Sequence, residues 1–179
     1  NRMENRIENA IETNANETIV ERGGANTLAG WREWVRLPSI GVPWIKAKLD
    51  AGARTSSLHA FGVEEFSRDG ADWVRCQVRP WQQTLDDEVP VECPVHDRRR
   101  VRSSSGHVEE RVVILLPIVL MGREIDAELT LSNRDAMGFR MLVGREALRS
   151  GIVVDSNQAF LGGRPPKAVR RRNRGRSTA

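Results

Sequence analysis

From Trp31 to Leu37, and again from Trp44 to Leu49, apolar residues alternate with polar ones. That is the period of a strand with one buried face. Pro38-Ser39-Ile40-Gly41-Val42-Pro43 separates the two runs as a turn. A second pair, Ser57 to Phe66 and Trp73 to Val78, flanks Arg68-Asp69-Gly70, and a third, Val112 to Leu120 and Glu124 to Leu131, flanks Met121-Gly122-Arg123; glycine beside a short polar or flexible residue is a hairpin signal. Phe139 to Val143 predicts one more inner strand, and Arg145 to Arg149 a short helix stopped near Gly151. The expected fold is all-β, a closed barrel with one short C-terminal helix.

Composition restricts the ordered part. A chain of 179 residues suits one domain with tails. Residues 1–27 are rich in Asn and Glu and read as a disordered polar segment, with Met3, Ile7 and Ile11 offering at best a short amphipathic turn. Residues 28–163 form the expected domain. Arg164, Lys167, Arg170, Arg171, Arg172, Arg174 and Arg176 then follow without one acidic residue; these seven cations outweigh the net charge of +4 and leave the rest at −3. With Pro165-Pro166 at its root, 164–179 is expected to be a disordered basic tail, solubilising or in weak contact with RNA or another polyanion. Val112 to Met121 is too short to span a bilayer and contains Pro117. Cys76 and Cys93 could pair, but with no secretory apolar segment a reduced, cytoplasmic setting is expected, without membrane association.

Asp50-Ala51-Gly52-Ala53 carries the chemistry: an aspartate leaves a strand onto a turn of small residues, and some ninety residues later Met141-Leu142-Val143-Gly144-Arg145 supplies an apolar strand ending in glycine. Hydrolysis of a peptide by carboxylates needs two aspartates that share a proton, one activating water while the other donates to the carbonyl oxygen. Gly52 allows a tight turn and close approach to a substrate. Only one Asp-x-Gly-Ala occurs, so the second aspartate must come from another copy across a two-fold axis.

These residues resemble a known family. Gly144-Arg145-Glu146-Ala147-Leu148 is similar to the G-R-[ND]-x-L element of retropepsins, and Asp50 to Ala53 to their D-[TS]-G-A. Asp50 to Ala60, Ser104-Ser105-Gly106 with Glu109 and Arg111, Thr130 to Arg134 and Met137 to Leu142 resemble, in order, the motifs of the retropepsin-like group called "ATP-dependent zinc proteases". The resemblance covers roughly Trp31 to Asp155. It implies a homodimeric aspartic endopeptidase acting on peptide or protein, with Asp50 catalytic, an active-site loop of Ala51, Gly52, Ala53, Arg54 and Thr55, and Gly144 and Arg145 supporting it. Asp97 to Glu110, a charged stretch with Ser104, Ser105 and Gly106 near its tip, falls where retropepsins carry the flap over substrate and suits a mobile loop.

Two departures matter. Ala51 lacks the hydroxyl that Thr or Ser donates across the retropepsin two-fold, although some active pepsin-like enzymes also carry alanine there. Arg54 occupies the place where retropepsins hold an acidic partner for the arginine matching Arg145, so Asp126, Glu128 or Glu146 is the expected partner instead. Arg54 itself reads equally as a binder of substrate carboxylate or as half of a dimer-interface ion pair.

His59, Cys76, Cys93, His96 and His107 are the candidates for zinc, but they form no H-E-x-x-H helix and no paired-cysteine knuckle, so no metal ligand is assigned. His59 reads as packing behind the active loop. No G-x-x-x-x-G-K-[ST] occurs to cradle ATP, and no cofactor is expected. The group's frequent association with ATP-grasp enzymes that ligate glutamate implies a glutamate-rich partner or substrate. The alternative to a protease is a catalytically silent module of the same fold that holds an extended peptide in its groove, or RNA on its tail.

Overall fold

The computed structural model describes residues 25–102, 105–133 and 138–176. Eleven strands carry most of the fold: β1 (Thr27–Gly30), β2 (Arg32–Leu37), β3 (Val42–Asp50), β4 (Ser56–Arg68), β5 (Ala71–Val78), β6 (Val89–Pro94), β7 (Asp97–Arg102), β8 (Val108–Leu120), β9 (Arg123–Ser132), β10 (Met141–Gly144) and β11 (Ile152–Asp155). Two short helices follow β10 and β11, α1 (Arg145–Leu148) and α2 (Lys167–Asn173).

The six strands β10-β3-β2-β8-β9-β4 pair in sequence, and β10 also pairs with β4, closing the sheet into a ring. β5 and β6 extend it beyond β4, while β7 pairs with the free part of β8. The alternation read from the sequence is the alternation of burial. Ile45, Ala47 and Leu49 of β3, with Val35 and Leu37 of β2, point into one core shared with Leu58, Ile114, Ile118, Leu129 and Met141. Both tight hairpins turn on a pair of residues at positive φ, Asp69 and Gly70 (52° and 77°) and Met121 and Gly122 (54° and 73°). That geometry matches the twist of the flanking strands. Pro117 sits opposite Asp126 on β9, between the stretch of β8 paired to β7 and the one pairing to β2 at Val119, so no ladder bond is lost on that side.

Four strands, β1, β6, β7 and β11, are not expected from the alternation. β6 contains Pro90 and Pro94, which mask its buried Val91 and Cys93; it lies at the edge of the sheet, where proline is tolerated. β7 reads as Asp-Arg-Arg-Arg-Val-Arg, yet it pairs residue for residue with β8 from Asp97↔Val113 to Arg102↔Val108. The expected loop from 97 to 110 is therefore a paired hairpin. Ser105 and Gly106 lie at its tip, while Ser104 falls outside the described residues. Of the expected polar segment 1–27, residues 1–24 also lie outside them, and Thr27 already begins β1, which runs parallel to β11 from Thr27↔Ile152 to Gly30↔Asp155.

The basic tail is corrected as well. Residues 167–173 form α2, held by Asn173, whose Oδ1 accepts the Gln82 amide (3.0 Å) and whose Nδ2 donates to Gln82 Oε1 (3.0 Å). Arg172 pairs with Asp87 (3.1 Å), the carboxylate that also takes the Trp81 indole N–H (2.8 Å). A short polar helix is marginal alone and gains its order from such tertiary contacts. Asn173→Ala leaves the Gln82 amide without its acceptor, an expected loss of about 1–3 kcal/mol. Hydrogen exchange at Gln82 and Gln83 should quicken accordingly; unchanged exchange would show that α2 is not docked through Asn173.

Candidate active site

Asp50 is the last residue of β3, and β10 runs parallel beside it in the register Met141↔Ala47 to Gly144↔Asp50. On its other side β10 meets β4 antiparallel, Met141 facing Leu58. The segment 51–55, which links β3 to β4, therefore has to pass over the end of the strand that both of them flank. Gly144 makes this possible. A Cβ there would stand 2.4 Å from the Thr55 carbonyl oxygen and 3.0 Å from that of Ala53, so only glycine fits beneath the loop.

Residues after Gly144 fix the loop by pairing with it. The Arg145 amide donates to the Ala53 carbonyl (2.7 Å) and the Glu146 amide to that of Arg54 (3.0 Å). These are N–H groups at the start of α1 that have no partner within the helix, so the loop acts as its cap. Arg145 Nη1 donates to the Ala51 carbonyl (3.1 Å), and the Gly144 amide donates to the buried Ser56 hydroxyl (3.0 Å). The expected carboxylate partner of Arg145 is thus replaced by a backbone carbonyl, because Glu146 is taken by Arg54 (Nε to Oε1, 2.9 Å). Arg54 remains 75% exposed, and an ion pair so open to solvent contributes little to stability.

The Asp50 carboxyl group is one-third exposed. Its Oδ1 accepts the Gly52 amide (2.9 Å), and a Cβ on Gly52 would lie 3.1 Å from that same oxygen. Gly52 does not adopt a positive φ, so its role is close approach to the carboxylate rather than an unusual backbone turn. Lys48 Nζ stands 3.9 Å from Oδ2, a long pair that solvent screens. Lys48 and Ser56 are the residues that sequence reading missed. The signal for Lys48 was present, since a spacing of two along a strand puts it on the face of Asp50.

The hairpin of β7 and β8 rises close by. Thr130 of β9 pairs with Ser57 on one side and with Val113, at the hairpin's root, on the other. Two strand spacings, roughly 9–10 Å, therefore separate that root from the end of the Asp50 loop. Arg99 binds Glu128 (2.5 Å) and Asp97 (3.0 Å), tying the hairpin to β9. The Arg99 guanidinium, helped by His96, holds the Glu128 carboxyl below the usual carboxylate range.

The zinc candidates are dispersed. His59 is fully buried on β4, its amide donating to the Arg140 carbonyl (2.7 Å) and its ring stacked on Phe61. Cys76 and Cys93 are buried, unbonded thiols on neighbouring strands, and burial pushes Cys76 up to about 11. Among the described residues no three His, Cys, Asp or Glu side chains stand together to hold a metal. None of the described helices is long and apolar enough to cross a membrane.

Three proteins named "Probable alpha-L-glutamate ligase" match: those of Desulfotalea psychrophila (47% identical over 133 residues, 73% of this chain), Shewanella halifaxensis (45% over 133, 74%) and Parasynechococcus marenigrum (48% over 128, 72%). The chain spans less than a third of their length, 28–29%. A crystal structure of a Legionella pneumophila protein of unknown function superposes with a TM-score of 0.65 at 26% identity, covering 77% of this chain and 99% of that one. Residues 28–165 match the family described as "RimB-like: Retropepsin-like aspartic endopeptidase RimB". The chain belongs to the RimB-like, retropepsin-like family.

Proposed function

We propose that this chain is an aspartic endopeptidase that works as a homodimer, each copy contributing one Asp50 to a shared dyad. The observation that carries the reading is the closed loop from Asp50 to Ser56, held from below by Gly144 and from the side by Arg145, with the carboxyl group oriented by the Gly52 amide and open to solvent. Two such carboxyl groups facing across a two-fold cannot both ionise, so the pair keeps one proton. The ionised member takes a proton from water, and the protonated member gives its own to the carbonyl oxygen of the scissile bond. The β7–β8 hairpin is the proposed cover over the bound peptide. Relatives named as glutamate ligases, together with Lys48 and Arg54 exposed beside Asp50, support a glutamate-rich substrate.

Ala51 favours a second reading, a silent peptide-binding module beside such a ligase, because it brings no hydroxyl to the two-fold. A pepstatin-type transition-state mimic separates the two, since it should bind an intact dyad tightly and a bare groove poorly. Ala51→Thr tests the dimer. Ala51 is exposed and its carbonyl is already taken by Arg145, so the side chain has room for a hydroxyl directed at a partner copy. Two symmetric bonds of about 0.5–1.5 kcal/mol each should lower the dimer dissociation constant roughly fivefold or more. Sedimentation across a dilution series reads this directly. Equal dissociation of the two proteins, or no dimer from either, would remove the two-fold on which the dyad depends.

A further inference from the structure

On the outward face of β2 and β3, Trp34 stands opposite Lys46 and Arg32 opposite Lys48. The chain after β11 folds back across this face. The Phe160 amide donates to the Arg32 carbonyl (3.0 Å), and its ring centroid lies 6.4 Å from that of Trp34. Phe160 itself holds φ at 58°, a left-handed conformation that a bulky residue rarely adopts.

Around these two rings gather five cations. Arg32 lies 4.9 Å from the Phe160 centroid, Lys46 5.5 Å and Arg164 4.8 Å. Arg170 and Arg174, delivered by α2, line the same cleft with Asn173. Among the described residues none of the five makes an ion pair, whereas arginines elsewhere on the surface find carboxylates, as Arg98 does with Glu65 and Asp72 and Arg172 with Asp87. Arg32 Nε and Arg170 Nε are buried without an acceptor. Burial, and then the charges of Arg32, Arg174 and Arg164, push the Lys46 ammonium below its ordinary range.

Like charges held together are costly, and a bound anion relieves that cost. We propose that this cleft is a phosphate site, in which Lys46, Arg164, Arg170 and Arg174 converge on the oxygens of one phosphate group while Arg32, beside the Phe160 ring, adds its charge from outside the lining. Forked guanidinium groups match such oxygens in geometry as well as charge. The free volume is about 30 Å³, so the anion enters as a compact group and not as a folded chain. The matched family segment ends at residue 165, so α2 adds the last two cations from outside it. The phosphate can belong to a small phosphorylated compound or to an RNA backbone. Nothing in the site depends on Asp50 or on proteolysis.

Calorimetric titration of the full chain at fixed ionic strength, with pyrophosphate and with a ten-nucleotide single-stranded RNA as probes, decides the matter. Pyrophosphate is expected to bind saturably at one site. Arg164→Gln with Arg174→Gln, both at exposed positions, should weaken it tenfold or more, and Arg164→Gln alone threefold or more. Lys167→Gln, a cation of α2 outside the cleft, should change it less than twofold. RNA that binds more tightly than pyrophosphate and loses the same factor identifies a nucleic-acid backbone as the source; RNA that does not bind identifies a small phosphorylated compound. The proposal is overturned by absent or unsaturable pyrophosphate binding, or by an equal loss in Lys167→Gln, which marks diffuse attraction to the basic segment. A hexaglutamate peptide binding as tightly as pyrophosphate overturns it too, because the site then selects carboxylates.

Discussion

Asp50→Asn is expected to lower peptide hydrolysis by at least about 10³-fold while the protein melts as before. Asparagine can still accept the Gly52 amide through its carbonyl oxygen, and the site is one-third exposed, so folding loses little. What it cannot do is hold or release the shared proton. General acid–base catalysis alone contributes on the order of 10²–10⁴, and in the proposed dyad both roles fall on one pair of residues. The wild type should show a bell-shaped dependence of rate on pH, its two limbs belonging to the dyad as a unit. Purified Asp50→Asn protein that cleaves peptide at the wild-type rate would dismiss the aspartic mechanism.

Gly144→Ala should do the reverse, damaging the fold first and activity with it. The new Cβ would meet the Thr55 carbonyl carbon and oxygen at 2.5 and 2.4 Å, and both atoms are backbone, unable to swing aside as a side chain would. Overpacking of this kind costs about 1–3 kcal/mol or more. Relief requires the loop to lift, which strains the bonds from Arg145 and Glu146 to Ala53 and Arg54 and with them the setting of Asp50. The urea midpoint should fall, and the molecules that remain folded should turn over slowly. Ser56→Ala, which removes only the acceptor of the Gly144 amide, should be milder. A Gly144→Ala protein with an unchanged midpoint and rate would show that the loop does not rest on that glycine.

Much of this was legible in the chain, for a physical reason. Strands that bury one face write their period into the sequence, and a hairpin with two residues at positive φ advertises itself through glycine. Asp50 and Gly144 were legible as a pair because few residue types tolerate a loop crossing a strand end at that distance. Charge obscured the rest. β7 has almost no apolar residue because its partner strand, and not a core, holds it in place. Glu33 shares the core-facing side of β2 with Val35 and Leu37 and is 1% exposed, yet no pattern reveals that its two oxygens take the amides of Leu161 (2.9 Å) and Gly162 (2.7 Å). The basic segment misled in the same way, since composition shows seven cations but not the contacts of Asn173 with Gln82 and of Arg172 with Asp87 that dock them.

The crossing of the Asp50 loop over β10 also orders events in time. Arg54 and Glu146 are 92 positions apart, and Ala51 and Arg145 are 94. Contacts so distant along the chain are slow to form, because a long loop must close before any of them is gained. A chain emerging from the ribosome amino end first exposes its aspartate early, but cannot set it until the stretch around Gly144 has also emerged. The half-site is therefore a late product of folding. On the proposed reading, a nascent or partly unfolded copy carries Asp50 without the geometry to use it, which would protect neighbouring chains from cleavage until this one is nearly finished.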